Sequence, residues 1–387
     1  MTWVGALLLG SCTEDTFLTN LEDIPVSPYD TSTTQMRTLT YQVPPSAGSH
    51  SRLYVGHQGG FEMPFSLLTL GEVPALSDSV RTLDSAYVQL TVDTSRFGSP
   101  PEGSVFALEY VELDSNFSES GTNHSNVDWL PEAIEVFSSI LTQDTAAGLP
   151  VIRFPVDTSW VNAWADTANP RPLLILKDVS ISLWPTGVTA FHSSEAETHR
   201  PFLKIFSHDS SGSSDTTVSV TSDLTIIVPP SLESGSFDSL RVYAGGGAGL
   251  RSLIRPDLDS LRIPSEAVII RANIILTLDT AASALSSGDD FQLDLLALSD
   301  SVDAWQWGQI HESDPYPGGL VSRGTVVDAK VALNVKNSLQ FIVSGGGDNF
   351  GFKLVGSGSN FVFDYASFHT APNDSLSPRL EVLYEAP

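Results

Sequence analysis

Trp305-Gln306-Trp307 sets two indoles on one face wherever the chain is extended, with Tyr316 a loop away. Exposed aromatic faces stack on the C–H bonds of sugar rings, so such a pair suits a polysaccharide. The same indoles serve equally well to fill a core or an interface. Trp160 and Trp164, flanking Asn162, admit the same two uses, whereas Trp129 and Trp184 have core character. Asp348 and Asn349, following Gly345-Gly346-Gly347, or Asp257 with Asp259, offer the hard oxygen atoms that a structural calcium ion takes. No other cofactor is implied. His192 and His369 each follow a Phe in matching contexts, an arrangement that fits a turn hydrogen bond better than catalysis. The chain contains no Gly-x-Ser-x-Gly, no His-Glu-x-x-His, no phosphate loop and no Cys/His set with zinc spacing. It therefore reads as a non-enzyme. A polysaccharide hydrolase or lyase stays open as a minority reading, because carboxylates are plentiful.

Asp and Glu (46) outnumber Lys and Arg (19), and the formal net charge of the 387 residues is −27. Such a surface repels phosphate backbones, which excludes nucleic acid as the expected partner. Hydrophobic residues make up 41% and charged residues 17%, enough apolar material for packed cores. The length predicts two or three domains. No run of about 18–20 apolar residues suggests a transmembrane helix.

The single cysteine forms no internal disulfide. Cys12 follows a short apolar run, and Leu9-Gly10-Ser11-Cys12 resembles the lipobox of bacterial lipoproteins. The resemblance implies that residues 1–12 form a lipoprotein signal segment and that Cys12 carries the lipid. It also implies an outer-membrane lipoprotein, periplasmic or exposed at the cell surface. Several acyl chains, at about 0.8 kcal/mol per buried methylene, give stable membrane anchoring. Residues 13–35, rich in Thr, Pro, Asp and Ser, read as a tether.

Segments recur in order along the chain. Val43-Pro44-Pro45-Ser46 returns as Val228-Pro229-Pro230-Ser231, and Arg52-Leu53-Tyr54-Val55-Gly56 is echoed by Arg241-Val242-Tyr243-Ala244-Gly245. Ala86–Thr94 matches Ala272–Thr280, and Phe106–Glu109 matches Phe291–Asp294. Phe191-His192-Ser193 and Pro201–Ile205 match Phe368-His369-Thr370 and Pro378–Val382. The spacing is nearly constant, which predicts two copies of one domain, over 36–207 and 218–387. The polar stretch 208–217 reads as the linker.

Within each copy, period-two alternation dominates, as in Ala86–Val92, Phe291–Leu296 and Lys330–Val335. A slip near Leu113 suggests a bulge. Leu173–Leu176 and Leu224–Val228 are continuous apolar runs, as in strands covered on both faces. Only Pro131–Leu141 and a turn capped by Ser193 have helical character. The expected fold is all-β: two tandem β-sandwich, jelly-roll-like domains related by internal duplication.

Several segments also resemble the DNRLRE-type domain, grouped with carbohydrate-binding modules of family 96. They are Ser252-Leu253-Ile254-Arg255-Pro256-Asp257-Leu258-Asp259-Ser260-Leu261-Arg262-Ile263-Pro264 and Ala272–Leu278. The closing segments Phe191-His192-Ser193-Ser194-Glu195 and Pro378–Tyr384 complete the likeness. This resemblance implies sandwich modules that bind sugars. The expectation is thus a lipid-anchored extracytoplasmic protein whose tandem modules bind polysaccharide or cell-envelope glycan. The alternative is a structural or adhesive surface protein that binds protein partners.

Overall fold

The computed structural model describes residues 28–386, apart from the short stretches 46–49, 76–80, 102, 114–116, 144–147, 167–168, 170, 180–186, 233–236, 287–289, 304, 359 and 371–375. Cys12 and Trp184 lie outside the described residues. Strand takes up 51% and helix 8%, which makes the protein all-β.

The strands are β1 (Tyr29–Thr33), β2 (Met36–Gln42), β3 (Arg52–Gln58), β4 (Phe61–Leu70), β5 (Thr82–Thr91), β6 (Val105–Glu112), β7 (Glu135–Ile140), β8 (Thr142–Gln143), β9 (Pro150–Val156), β10 (Pro172–Asp178), β11 (Val188–His192), β12 (Phe202–Asp209) and β13 (Gly212–Val228). They continue with β14 (Arg241–Ala244), β15 (Leu250–Pro256), β16 (Val268–Thr277), β17 (Gln292–Leu298), β18 (Gly318–Thr325), β19 (Lys330–Asn334), β20 (Phe352–Gly356), β21 (Ala366–His369) and β22 (Arg379–Glu385). Among the described residues, three short α-helices, α1 (Thr94–Phe97), α2 (Thr158–Ala165) and α3 (Lys336–Val343), and a 3-10 turn at Asp259–Leu261 interrupt them.

The first sandwich has one sheet ordered β7-β6-β10-β4-β13 and another ordered β13-β12-β5-β9-β8. The long β13 belongs to both: its first half pairs with β12, and its second half pairs with β4 across two register shifts. On the opposite side β7 pairs with β6 and β8 with β9, and only Leu141 separates β7 from β8. The hydrogen-bond ladder therefore passes between the sheets at both margins, which removes exposed edges. The second sandwich has sheets β18-β17-β20-β15-β2 and β1-β22-β16-β19, with β14-β21 beside them as β3-β11 stand in the first.

The same buried knot secures both. Thr225 Oγ1 accepts the Tyr54 N–H (2.8 Å) and lies 3.0 Å from Ser66 Oγ, which donates to Tyr54 O at 2.9 Å. In the second sandwich Thr40 Oγ1 accepts the Tyr243 N–H (3.2 Å) and lies 2.7 Å from Ser252 Oγ, which donates to Tyr243 O at 2.7 Å. Thr40 comes from the N-terminal strand β2, and Thr225 from β13. Each knot satisfies backbone groups that burial would otherwise leave unpaired.

The expected boundaries need correction here. Residues 36–42, assigned to the first domain, pair with β15 of the second sandwich. Residues 29–33, assigned to the tether, pair with β22. Residues 218–228, assigned to the second domain, complete the first sandwich, and the expected linker 208–217 is a hairpin. Its turn is tight: Asp209 Oδ1 accepts the Ser211 N–H at 2.7 Å and the Gly212 N–H at 3.2 Å. Ser, Asp and Gly resemble a linker in composition, but they are also the residues that turn a hairpin. Residues 36–42 thus complete the second sandwich, and residues 218–228 the first.

Other expectations fare variously. Leu173–Leu176 and Leu224–Ile227 are strands with buried apolar side chains, as their unbroken runs suggest. Pro131–Leu141 is not a helix: Glu135–Ile140 is β7, and Phe137 alone of its side chains is buried. No bulge interrupts the pairing of β6 with β10. Each sandwich has its own core, around Leu90, Phe106, Phe154 and Phe191 in the first, and Ile274, Leu295, Leu333 and Phe368 in the second. A third cluster joins the two bodies, with Tyr54, Phe61 and Met63 against Phe361, Val362 and Phe363.

Candidate functional site

β1 and β2 are separated only by Thr34-Gln35, and this break sits against the turn that follows β15. The Asp257 N–H donates to Gln35 O (2.8 Å), and Ser260 Oγ donates to Thr33 Oγ1 (2.9 Å). A groove of about 550 Å³ opens at this corner. Its polar lining comes from Gln35, Arg37, Arg255, Asp257, Asp259 and Asn349, and its apolar lining from Met36, Leu258 and Ile342. Asn349 Nδ2 donates to Pro256 O at 2.8 Å, which leaves its buried Oδ1 without a partner. Guanidinium donors, carboxylate acceptors and an amide around a small apolar floor match a ligand with many hydroxyls and some C–H surface.

Trp305 stands at the shoulder of this groove, with the Arg37 guanidinium over its ring at 5.2 Å. Its indole is half-buried on the cluster of Leu39, Tyr41 and Leu253, and Nε1 is enclosed without a partner. Tyr316 joins the same cluster, edge-on to Tyr41 at 5.1 Å. Trp307 turns instead to the cluster between the sandwiches. The three aromatics therefore form no single open platform. Trp160 and Trp164, expected as ligand contacts, pack from α2 against Tyr110 at 5.0 and 5.4 Å, and Trp164 is buried in the first core. The helix decides this: its spacing turns both indoles toward the sheet.

Of the expected calcium ligands, Asn349 lines the groove, while Asp348 is exposed and lines a neighbouring cavity of about 280 Å³. Asp257 and Asp259 share the groove with Asn349. Among the described residues, the only three potential metal-binding side chains whose ligand atoms converge are elsewhere, at Glu119, Glu195 and Asp223. Both histidines lie beside an Arg–Asp pair. His369 Nδ1 is 3.8 Å from Asp279, which pairs with Arg241. Burial lowers the pKa of His192, against the opposing charge of Asp93, which pairs with Arg52.

The segment after β17 covers the outer face of the second sandwich and is pinned by Asp314. Tyr41 Oη donates to Asp314 Oδ1 (2.9 Å), Lys353 Nζ to Oδ2 (2.7 Å), and Arg251 pairs with the same carboxylate. Burial raises the pKa of Asp314, but Lys353, Arg251 and Tyr41 together hold it below the usual carboxylate range. Gln35, Arg37 and Arg255 escape sequence inspection as site residues. They meet only because β2 pairs with β15, and no local motif announces that. Compared with models of known protein families and with curated proteins, the chain matches none of them.

Proposed function

We propose that this is a lipid-anchored, extracytoplasmic, non-catalytic binding protein of the outer membrane, periplasmic or surface-exposed, tethered through Cys12. Its two sandwiches, of the DNRLRE-like kind, descend from one duplicated module. Its ligand is a polysaccharide or envelope glycan, held in the groove between the β1–β2 break and the loop after β15. The observation that carries this reading is the groove lining, where Arg37, Arg255, Asp257 and Asn349 surround Met36, Leu258 and Ile342. Trp305 serves less as an open platform than as the backing of Arg37.

Binding to immobilised polysaccharides and a glycan array tests it. Arg255→Ala is expected to weaken retention about tenfold, the effect of losing one charge-assisted hydrogen bond. Trp305→Ala releases Arg37 and is expected to act in the same direction. Absence of any retained glycan, or an Arg255→Ala variant that binds as before, counts against the proposal. One observation favours the adhesive reading: β18 forms a ladder with β17 alone, and its Leu320 is 61% exposed. An added strand or a protein partner would meet the chain there. A stable protein complex recovered from crosslinked envelopes, without glycan binding, would favour it.

A further inference from the structure

The outer face of the first sandwich is covered by residues 117–130, whose Phe117 and Trp129 pack over Leu173 and Leu224. Beside this apolar cover, Glu119 Oε1 accepts the N–H of Asp223 on β13 at 2.7 Å. Asp223 is 1% exposed. Its Oδ2 accepts the Ser194 N–H at 2.6 Å, and its Oδ1 is enclosed with no hydrogen-bond partner. Glu195, from the turn after β11, completes a trio in which carboxylate oxygens of Glu119, Glu195 and Asp223 lie within 4.8 Å of one another. None of the three forms an ion pair with Lys or Arg among the described residues.

The second sandwich solves the same problem differently. There the carboxylate that pins the cover, Asp314, is neutralised by Arg251 and Lys353. In the first sandwich no Lys or Arg among the described residues pairs with the trio, although Glu195 shares a pocket with His50, Arg52 and Arg96, and three separate segments bring carboxylate oxygens within 4.8 Å of one another. Burying a carboxylate without a partner is costly, and a group so placed takes up either a proton or a cation.

We propose that Glu119, Glu195 and Asp223 bind a divalent cation, calcium by the hardness and number of their oxygens, which ties the cover and the turn after β11 to β13. Carboxylates, backbone carbonyls and water are the ligands calcium accepts, in a flexible shell of six to eight. Burial, together with the facing charges of Glu195 and Glu119, raises the pKa of Asp223 to about 8. The proposal is independent of the glycan reading.

The test titrates CaCl2 into chelator-treated full-length protein, followed by calorimetry and thermal unfolding. One calcium is expected to bind, raising Tm by about 3 °C at tenfold excess over the dissociation constant. Asp223→Asn risks misfolding, so Glu119→Gln and Glu195→Gln carry the test, with far-UV circular dichroism to show that each is folded. Both are expected to lose the bound calcium and the Tm shift, while Asp348→Asn keeps them. No response up to about 10 mM calcium, roughly tenfold beyond the weak end of extracellular sites, overturns the proposal. An undiminished response in both Gln variants overturns it equally. A magnesium response equal to that of calcium overturns the choice of metal.

Discussion

Arg52 pairs with Asp93 just before α1, and Arg241 pairs with Asp279 at the matching point of the second sandwich. Both aspartates also take N–H groups of the following turn: Ser95 N–H donates to Asp93 Oδ1 at 2.8 Å, and Ala281 N–H to Asp279 Oδ1 at 3.0 Å. Burial pushes the pKa of Asp93 up, but Ser95 and Arg52 outweigh it and bring the value down to about 2. A carboxyl that is more acidic when folded stabilises the fold above its unfolded pKa, and that gain disappears as pH falls toward 2. The expected contribution is about 1–2 kcal/mol, since Arg52 is partly open to solvent and screened. Asp93→Asn should therefore flatten the acid limb of stability against pH between about pH 4 and 2. An acid limb identical to that of the wild type would refute this assignment. The recurrence of Arg, Asp and the nearby His is legible in the sequence, because all three fall within repeated segments. Glu119, which meets the backbone of Asp223 in the fold, falls within no repeated segment and leaves no trace there.

Strand β13 is continuous and spans both sheets of the first sandwich, whereas β1 and β2 divide the same task in the second. The difference creates the groove, because the chain break at Thr34-Gln35 opens a corner that a continuous strand would fill. It also makes the second sandwich depend on residues far away in sequence. Five residues of β1 pair with β22, and seven of β2 pair with β15. Without them β15 and β22 would each present an unpaired edge. A chain truncated before Val43 is expected to lose amide-exchange protection in β15, β20 and β22 while β5 and β12 stay protected. A peptide of residues 28–45 added in trans should restore it. Unchanged protection in the truncated chain would show that the second sandwich is complete by itself. Strand identity was legible from alternation in β5, β17 and β19, and buried strands from unbroken apolar runs, but β7 was not, since Pro131–Leu141 mimics a helical spacing. Helices α2 and α3 were not, because eight residues give too short a window for a helical period to emerge.

At the scale of the molecule, the two bodies share one aromatic cluster. Phe363 lies 5.1 Å from Tyr54, 5.4 Å from Phe61 and 5.2 Å from Phe361, ring centre to ring centre, and the Arg96 guanidinium stands 4.0 Å over Phe361. With this cluster between them, and with β1–β2 crossing over, the sandwiches should unfold together. Phe363→Ala is expected to cost about 3–5 kcal/mol. It should also separate one denaturant transition into two when followed by tryptophan fluorescence and by circular dichroism. Two transitions already present in the wild type would contradict this coupling.

Chain order alone determined that the protein is built of strands, that apolar side chains alternate toward two cores, and that matching segments recur in one sequence. These are local properties, written in residue type and period. Tertiary structure decided which strand completes which sandwich, and with it the groove at Gln35 and the convergence of Glu119, Glu195 and Asp223. A sheet edge offers the same N–H and C=O groups to any strand that reaches it, so the choice of partner depends on burial and geometry across the whole chain.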